Sequence, residues 1–243
     1  MESARALTVA GDGANIEHVS ANVRSRSGGP VRVGDPAAGP LADLHLQGSL
    51  FGGTEPGVDE AFAGLRRIEL DDRSWLDHAP GWLAGEQAVF DHLISSLPWR
   101  QRTVTMWERR LPEPRLTAWW TPEQGPEAMP VLATMRRVLS SRYAEAFDSI
   151  GFNCYRHGDD SVAWHGDRHR HTTDDPVVAI VSVGAPRPLR IRPRGGGQAR
   201  SFDLGRGDLF VMGGACQHDW EHAVPKVRAA EPRISITYRH GAR

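Results

Sequence analysis

VVAIVSVGAPRPLRIRPRGGGQARSFDLGRGDLFVM, residues 177–212, is the stretch that decides the fold. Four short runs, Val177 to Val183, Leu189 to Pro193, Arg200 to Leu204 and Leu209 to Met212, read as strands. Between them lie Gly184-Ala185-Pro186, Gly195-Gly196-Gly197 and Gly205-Arg206-Gly207-Asp208, all turn-forming. Two more strands bracket the group, Phe152 to Arg156 before it and Arg233 to Arg239 after it. Many short strands with frequent turns imply a double-sheet barrel such as a jelly roll.

Upstream the period changes. Glu86 to Leu97 carries Val89, Phe90, Leu93, Ile94 and Leu97 at helical spacing, and Pro98 stops it. A second helix is expected from Pro130 to Ala146, with Val131, Met135, Val138 and Leu139 on one side. Helices first and strands afterwards predict an α+β domain, a jelly-roll (double-stranded β-helix) core with N-terminal supporting helices. Its texture begins near Leu44, after which Trp75, Trp82 and Trp99 fall close together. Residues 1–43, with GDGAN, SRSGGP and GDPAAGP, have too little apolar surface to offset ordering entropy. They read as a disordered or loosely attached extension, and residues 44–243 as the folded domain.

Composition sets outer limits. A chain of 243 residues, 40% hydrophobic, can bury a sizeable core. Its 29 basic and 30 acidic residues leave a formal charge of −1, so no global basic field announces a nucleic-acid partner. Two cysteines, Cys154 and Cys216, cannot build a disulfide framework and read as small buried hydrophobes in a reducing cytoplasm. No run approaches the roughly 18 apolar residues of a membrane span, and the N-terminus lacks a signal-like apolar stretch. A soluble, cytoplasmic, monomeric protein with no membrane partner is expected.

Within this frame His165-Gly166-Asp167 is the main chemical signal. In an extended segment residues i and i+2 share a side, so His165 and Asp167 can grip one ion while Gly166 keeps the other side clear. With a second histidine downstream, two nitrogens and one oxygen leave open positions, as in non-haem Fe(II) oxygenases. The strand RISITYR, residues 233–239, puts Ile234, Ile236 and Tyr238 on one face and Arg233, Ser235, Thr237 and Arg239 on the other. Two guanidiniums on one face suit a dicarboxylate cosubstrate, because each presents a planar fork of donors. Asn153 and Tyr155 share a strand face by the same rule and offer uncharged donors to a carboxylate.

Three blocks carry a family resemblance: F-N-x-Y-R-x-G-x-D-S-V-x-W-H-x-D (Phe152 to Asp167), Q-H-D-W-E-H-x-V-P-K (Gln217 to Lys226) and P-R-I-S-I-T-Y-R (Pro232 to Arg239). Together they resemble the AlkB family, Fe(II)- and 2-oxoglutarate-dependent dioxygenases that repair alkylated nucleic acid. The resemblance covers residues 45–243 and is dense from 148 onward. It implies Fe(II), 2-oxoglutarate and O2 as cofactor and cosubstrates, with His165, Asp167 and His222 as iron ligands. His218, four residues earlier, competes for the third position, but His222 directly precedes Ala-Val-Pro as the family's distal histidine precedes a similar run. Asn153, Tyr155, Arg233, Ser235, Thr237 and Arg239 would hold 2-oxoglutarate, Arg233 at its distal carboxylate and Arg239 near the chelating end.

The implied reaction hydroxylates an alkyl group on a base nitrogen, with release of succinate, CO2 and an aldehyde. Its substrate would be alkylated DNA, single- or double-stranded, or RNA. A flipped base needs a stacking partner, and Pro114 to Trp120 resembles the family's substrate-side segment, with Arg115 and either Trp119 or Trp120 facing the base. Arg168 and His169 follow the metal motif where many relatives place acidic residues, so base preference does not carry over. Arg168, Arg170, Arg187, Arg190, Arg192, Arg194 and Arg200 outnumber the aspartates between them and predict a phosphate-binding patch beside the iron that includes Arg192 and Arg194. Two other readings are a 2-oxoglutarate-dependent hydroxylase or demethylase of a protein or small molecule, and a barrel that binds nucleic acid without catalysis.

Overall fold

The structure, a computed structural model, describes residues 41, 55–106, 109–166 and 175–240. The expected N-terminal extension therefore lies outside the described residues, apart from Leu41. So do Asp167, Arg168, His169, Arg170 and His171 of the metal-motif loop. In chain order the elements are β1 (Gly57–Val58), β2 (Arg66–Glu69), β3 (Ser74–Ala79), β4 (Leu83–Ala84), α1 (Glu86–Ser96), β5 (Thr103–Met106), β6 (Arg109–Pro112), β7 (Leu116–Trp120) and α2 (Pro130–Tyr143). There follow β8 (Ser149–Tyr155), β9 (Val162–His165), β10 (Val178–Gly184), β11 (Arg187–Pro193), β12 (Arg200–Leu204), β13 (Asp208–Gly214), the short α3 (Cys216–Asp219), β14 (Trp220–Val224) and β15 (Arg233–Arg239).

These strands form a seven-stranded antiparallel sheet in the order β2-β3-β13-β10-β15-β8-β7 and a four-stranded one in the order β12-β11-β14-β9. The β5–β6 hairpin stands apart as its own two-stranded sheet. One apolar cluster, including Val178, Ile180, Phe210 and Met212 of the larger sheet with Leu189, Ile191 and Leu204 of the smaller, lies between the two. The opposite face of the larger sheet packs on Val89, Phe90 and Leu93 of α1 and on Leu132, Met135 and Leu139 of α2. The architecture is thus mostly antiparallel sheet with few helices, consistent with a jelly roll.

β15 runs through the middle of the larger sheet, paired with β10 on one side and β8 on the other. Its alternation is the one expected, but neither face meets solvent: Ile234, Ile236 and Tyr238 join the helix-side core, and Arg233, Ser235 and Thr237 are buried on the other side. Tyr238 fastens the strand to α2 by donating its hydroxyl to the Leu132 carbonyl at 3.1 Å.

The helices fall where the spacing put them. α1 ends at Ser96 with Leu97 extended, as the residue before Pro98 must be. α2 starts with Pro130 at its first turn and ends earlier than expected, at Tyr143, because Ala144 turns left-handed with φ 51°. The order of elements needs correction: among the described residues four strands precede α1, and β5 to β7 separate it from α2. Those early strands hid their period. In β3 the fully buried Asp77 sits among apolar residues, held by Arg67 through 2.8 and 2.9 Å bonds and by the Tyr143 hydroxyl at 3.0 Å. A buried carboxylate satisfied by residues far along the chain breaks the alternation that identifies a strand.

Replacing Ile236, which has no exposed surface, by Ala leaves a cavity between sheet and helices. A loss of about 2–5 kcal/mol in urea unfolding is expected.

Candidate functional site

Between the sheets, on the cavity side of β15, lies a pocket of about 650 Å³. β8 contributes Gly151, Asn153 and Tyr155, β15 contributes Arg233, Ser235, Thr237 and Arg239, and β9 and β14 supply His165 and His222. β7 and the residue before it add Arg115, Thr117 and Trp119, and the segment between α1 and β5 adds Arg100 and Arg102. Among the described residues, five arginines line this space and no carboxylate does.

His165 and His222 face each other across the β9–β14 pairing, with ring centres 4.3 Å apart. The His165 Nδ1 lies 2.9 Å from the Ala163 carbonyl oxygen. A carbonyl only accepts, so Nδ1 carries the proton and Nε2 presents the ring's lone pair, the tautomer that suits a metal ligand. His218, by contrast, is exposed on α3 and does not line the pocket. Asp167 lies outside the described residues.

At the other end Arg233 is buried, 1% exposed, with its Nη2 donating to the Ser182 hydroxyl at 2.6 Å. Among the described residues its Nε and Nη1 make no geometric hydrogen bond, with the Tyr155 ring beside them. Burial pushes this guanidinium below its usual pKa, while the neighbouring Tyr155 phenol opposes the shift. Tyr155 is itself raised by burial, against the pull of Arg233, Arg115 and Arg187. Among the described residues no carboxylate bonds it, and a buried cation left so is costly, which suits the site to an added anion. Ser182 was not foreseen. The signal was a single hydroxyl on the inward face of an otherwise apolar strand, two residues beyond Ile180.

Nearby, Arg115 Nε donates to Asn153 Oδ1 at 2.9 Å, which turns the Asn153 amide so that its NH2 is the donating end. The Ser235 and Thr237 hydroxyls lie 3.2 Å apart on the pocket face. The two tryptophans of β7 separate cleanly. Trp119 is 41% exposed in the pocket, and Trp120 is buried in the helix-side core with its indole N–H on the Gly125 carbonyl at 3.0 Å. Gly151 makes room for the first: a methyl there would lie 2.7 Å from the Trp119 ring and 2.8 Å from Arg239 Nη1.

Among the described residues the expected arginine patch does not assemble at the pocket. Arg187 is buried and donates to the carbonyls of His157, Asp160 and Pro225. Arg192 points out of the other face of the small sheet and bonds Glu221 at 2.6 Å. Arg194 donates to the carbonyls of Gln217 and His218, and Arg200 to that of Glu69. Arg168, Arg170 and His169 lie outside the described residues. The guanidiniums at the mouth, Arg100 and Arg102, were missed, because they lie just before β5, a strand with no clear period.

Residues 78–239 match the family model of the 2OG-Fe(II) oxygenase superfamily. Alpha-ketoglutarate-dependent dioxygenase alkB homolog 3 of Bos taurus is 34% identical over 182 residues, 66% of this chain and 64% of that protein. DNA oxidative demethylase ALKBH2 of Arabidopsis thaliana is 26% identical over 218 residues, 72% of this chain and 68% of that protein. The solved structure of OsALKBH1 aligns with a TM-score of 0.47 at 13% identity, covering 72% of this chain and 100% of that one. The match thus spans slightly less than two thirds of the alkB homolog 3 length.

The chain belongs to the AlkB family of Fe(II)- and 2-oxoglutarate-dependent oxygenases. Membership implies Fe(II), 2-oxoglutarate and O2. The described residues fit both groups: the unpartnered donors of Arg233 suit a carboxylate, and the paired imidazoles with the fixed His165 tautomer suit a divalent metal.

Gly151→Ala should push the Trp119 ring off the pocket floor. Acrylamide quenching of tryptophan emission is expected to rise, and the rise should vanish when Trp119→Leu is added.

Proposed function

We propose that this chain oxidatively dealkylates alkylated nucleobases, with DNA as its first substrate, releasing succinate, CO2 and an aldehyde. The observation that carries this is the pocket lining itself: five arginines, no carboxylate among the described residues, an exposed indole and two adjacent histidines. Such a lining takes two kinds of anion, a dicarboxylate in its depth and phosphate at its mouth. The Arabidopsis relative bears the name DNA oxidative demethylase, which supports the same substrate class.

In this reading His165, His222 and Asp167 hold the iron. Bound Fe(II), with 2-oxoglutarate and O2, supplies the oxidation that inserts one oxygen into a C–H bond of the alkyl group and turns the cosubstrate into succinate and CO2. The hydroxylated carbon then leaves its nitrogen as an aldehyde. The chain's own residues bind and orient. Arg233, set by Ser182, pairs through its buried guanidinium with the distal carboxylate. Tyr155 and Asn153 donate to carboxylate oxygens, while Ser235, Thr237 and Arg239 line the same strand towards the histidines. Trp119 offers its face to an unstacked base, and Arg115, Arg100 and Arg102 lie beside it for the backbone. Arg168 and His169, next to Asp167 in sequence, are retained as base-edge contacts in this proposal. Two buried cysteines, their thiols pushed up to about 12 by burial, suit a reducing cytoplasm.

Mass spectrometry of mixed alkylated oligonucleotides, given Fe(II), 2-oxoglutarate and ascorbate, tests the reaction. Loss of the alkyl mass with equimolar succinate is expected, and His165→Ala should abolish both. Intact N1-methyladenine, N3-methylcytosine and etheno adducts in DNA, together with succinate formed on RNA, a peptide or a small molecule, would reassign the substrate.

The cosubstrate site is tested separately by calorimetry of Mn(II)-loaded protein without oxygen. Arg233→Met should remove measurable 2-oxoglutarate binding. Ser182→Ala should weaken it about tenfold, the value of one hydrogen bond to a charged group. Unchanged affinity in both would reject this assignment.

A further inference from the structure

Trp164 and Glu221 are the residues just before His165 and His222, and one arginine joins them on the far side of the small sheet. Arg192 Nε donates to the largely buried Glu221 Oε1 at 2.6 Å, and its guanidinium carbon lies 4.1 Å from the centre of the Trp164 ring. In register, Arg192 pairs with Glu221 while Ile191 pairs with His222. The side chains of Leu189 and Ile191 enter the core between the sheets, so Arg192 stands on the opposite face from the histidine rings.

β9 needs such support. It is the edge strand of the small sheet, paired with β14 alone, and its pairing shifts between His222 and Val224. An interrupted ladder at an edge fixes orientation weakly. The exit from the strand is backed in the same region: a methyl on Gly166 would come 2.5 Å from Arg194 Nη2 and 2.6 Å from the Gln217 carbonyl oxygen, and that Nη2 donates to this carbonyl at 3.0 Å.

We propose that Trp164, Arg192 and Glu221 are positioning residues, a clamp behind the metal site that sets the spacing and tilt of His165 against His222 and thereby the chain's affinity for its divalent metal. The proposal rests on these histidines being ligands. A planar guanidinium suits the task because it stacks on an indole while its edge bonds a carboxylate. Metal sites depend on such outer contacts, which orient ligands without touching the ion. The clamp also accounts for Arg192: a guanidinium held between Trp164 and Glu221 orders the histidine strands and is not a phosphate contact.

Titration of the metal-free protein with Co(II), followed by visible absorption, tests this. Arg192→Ala and Trp164→Leu are each expected to raise the dissociation constant about three- to tenfold and to alter the band shape. Trp164→Phe, which keeps an aromatic face, should restore most of the affinity. Charge alone has the opposite sign, since removing a cation near the site favours a metal ion. Unchanged Co(II) affinity and spectrum in both variants would overturn the clamp alone. So would Arg192→Ala weakening oligonucleotide binding with a flatter salt dependence while Co(II) binds as before. Co(II) binding that survives His222→Ala would overturn the ligand reading, and the clamp with it.

Discussion

Arg233 is a positive charge buried inside a seven-stranded sheet, with a serine hydroxyl and a phenol ring beside it and, among the described residues, no carboxylate bonded to it. An isolated buried charge is tolerated only where surrounding structure holds it and a ligand answers it. The rest of the architecture serves that condition. β10 and β8 flank the strand, α1 and α2 cover its apolar face, and the small sheet closes the other side. The cavity that results is polar along β15 and backed by Phe152, Ile180 and Leu189, and burial strengthens the interactions made in its depth.

The metal end obeys a different constraint. Its two histidines sit on neighbouring strands of the smaller sheet, where cross-strand pairing brings their rings together. The cosubstrate end lies on the larger sheet. A site assembled from two facing sheets needs their separation fixed, and the inter-sheet cluster of Leu189, Ile191, Phe210 and Met212 does this by close packing. Rigid strands therefore supply the chemistry, and the residues toward the β5–β6 hairpin, Arg100 and Arg102, frame the mouth.

Much of this was legible along the chain. The period-two pattern of residues 233–239 assigned every side chain of that strand to its observed face, and Asn153 with Tyr155 followed from the same rule. Turn residues delimited Arg200–Leu204 at both ends. Strands β2, β3 and β14 were not legible, because Asp77, Arg67 and Glu221 interrupt their apolar runs and are satisfied by partners distant in sequence. The arginines between Arg187 and Arg200 misled for a related reason: a count of charges registers their number and not what each one bonds.

Local pattern alone determined strand faces, helix faces, the spacing of the His165–Asp167 motif and the pairing of two arginines on one strand. Those properties follow from backbone periodicity, which every sequence carries within a few residues. Tertiary structure alone decided that Trp119 enters the pocket and Trp120 the core, that Arg192 backs the small sheet, and that Ser182 fixes Arg233. Each depends on which strands become neighbours. Hydrogen bonds and ring contacts between residues tens of positions apart are set by sheet order and register, and no local signal contains them.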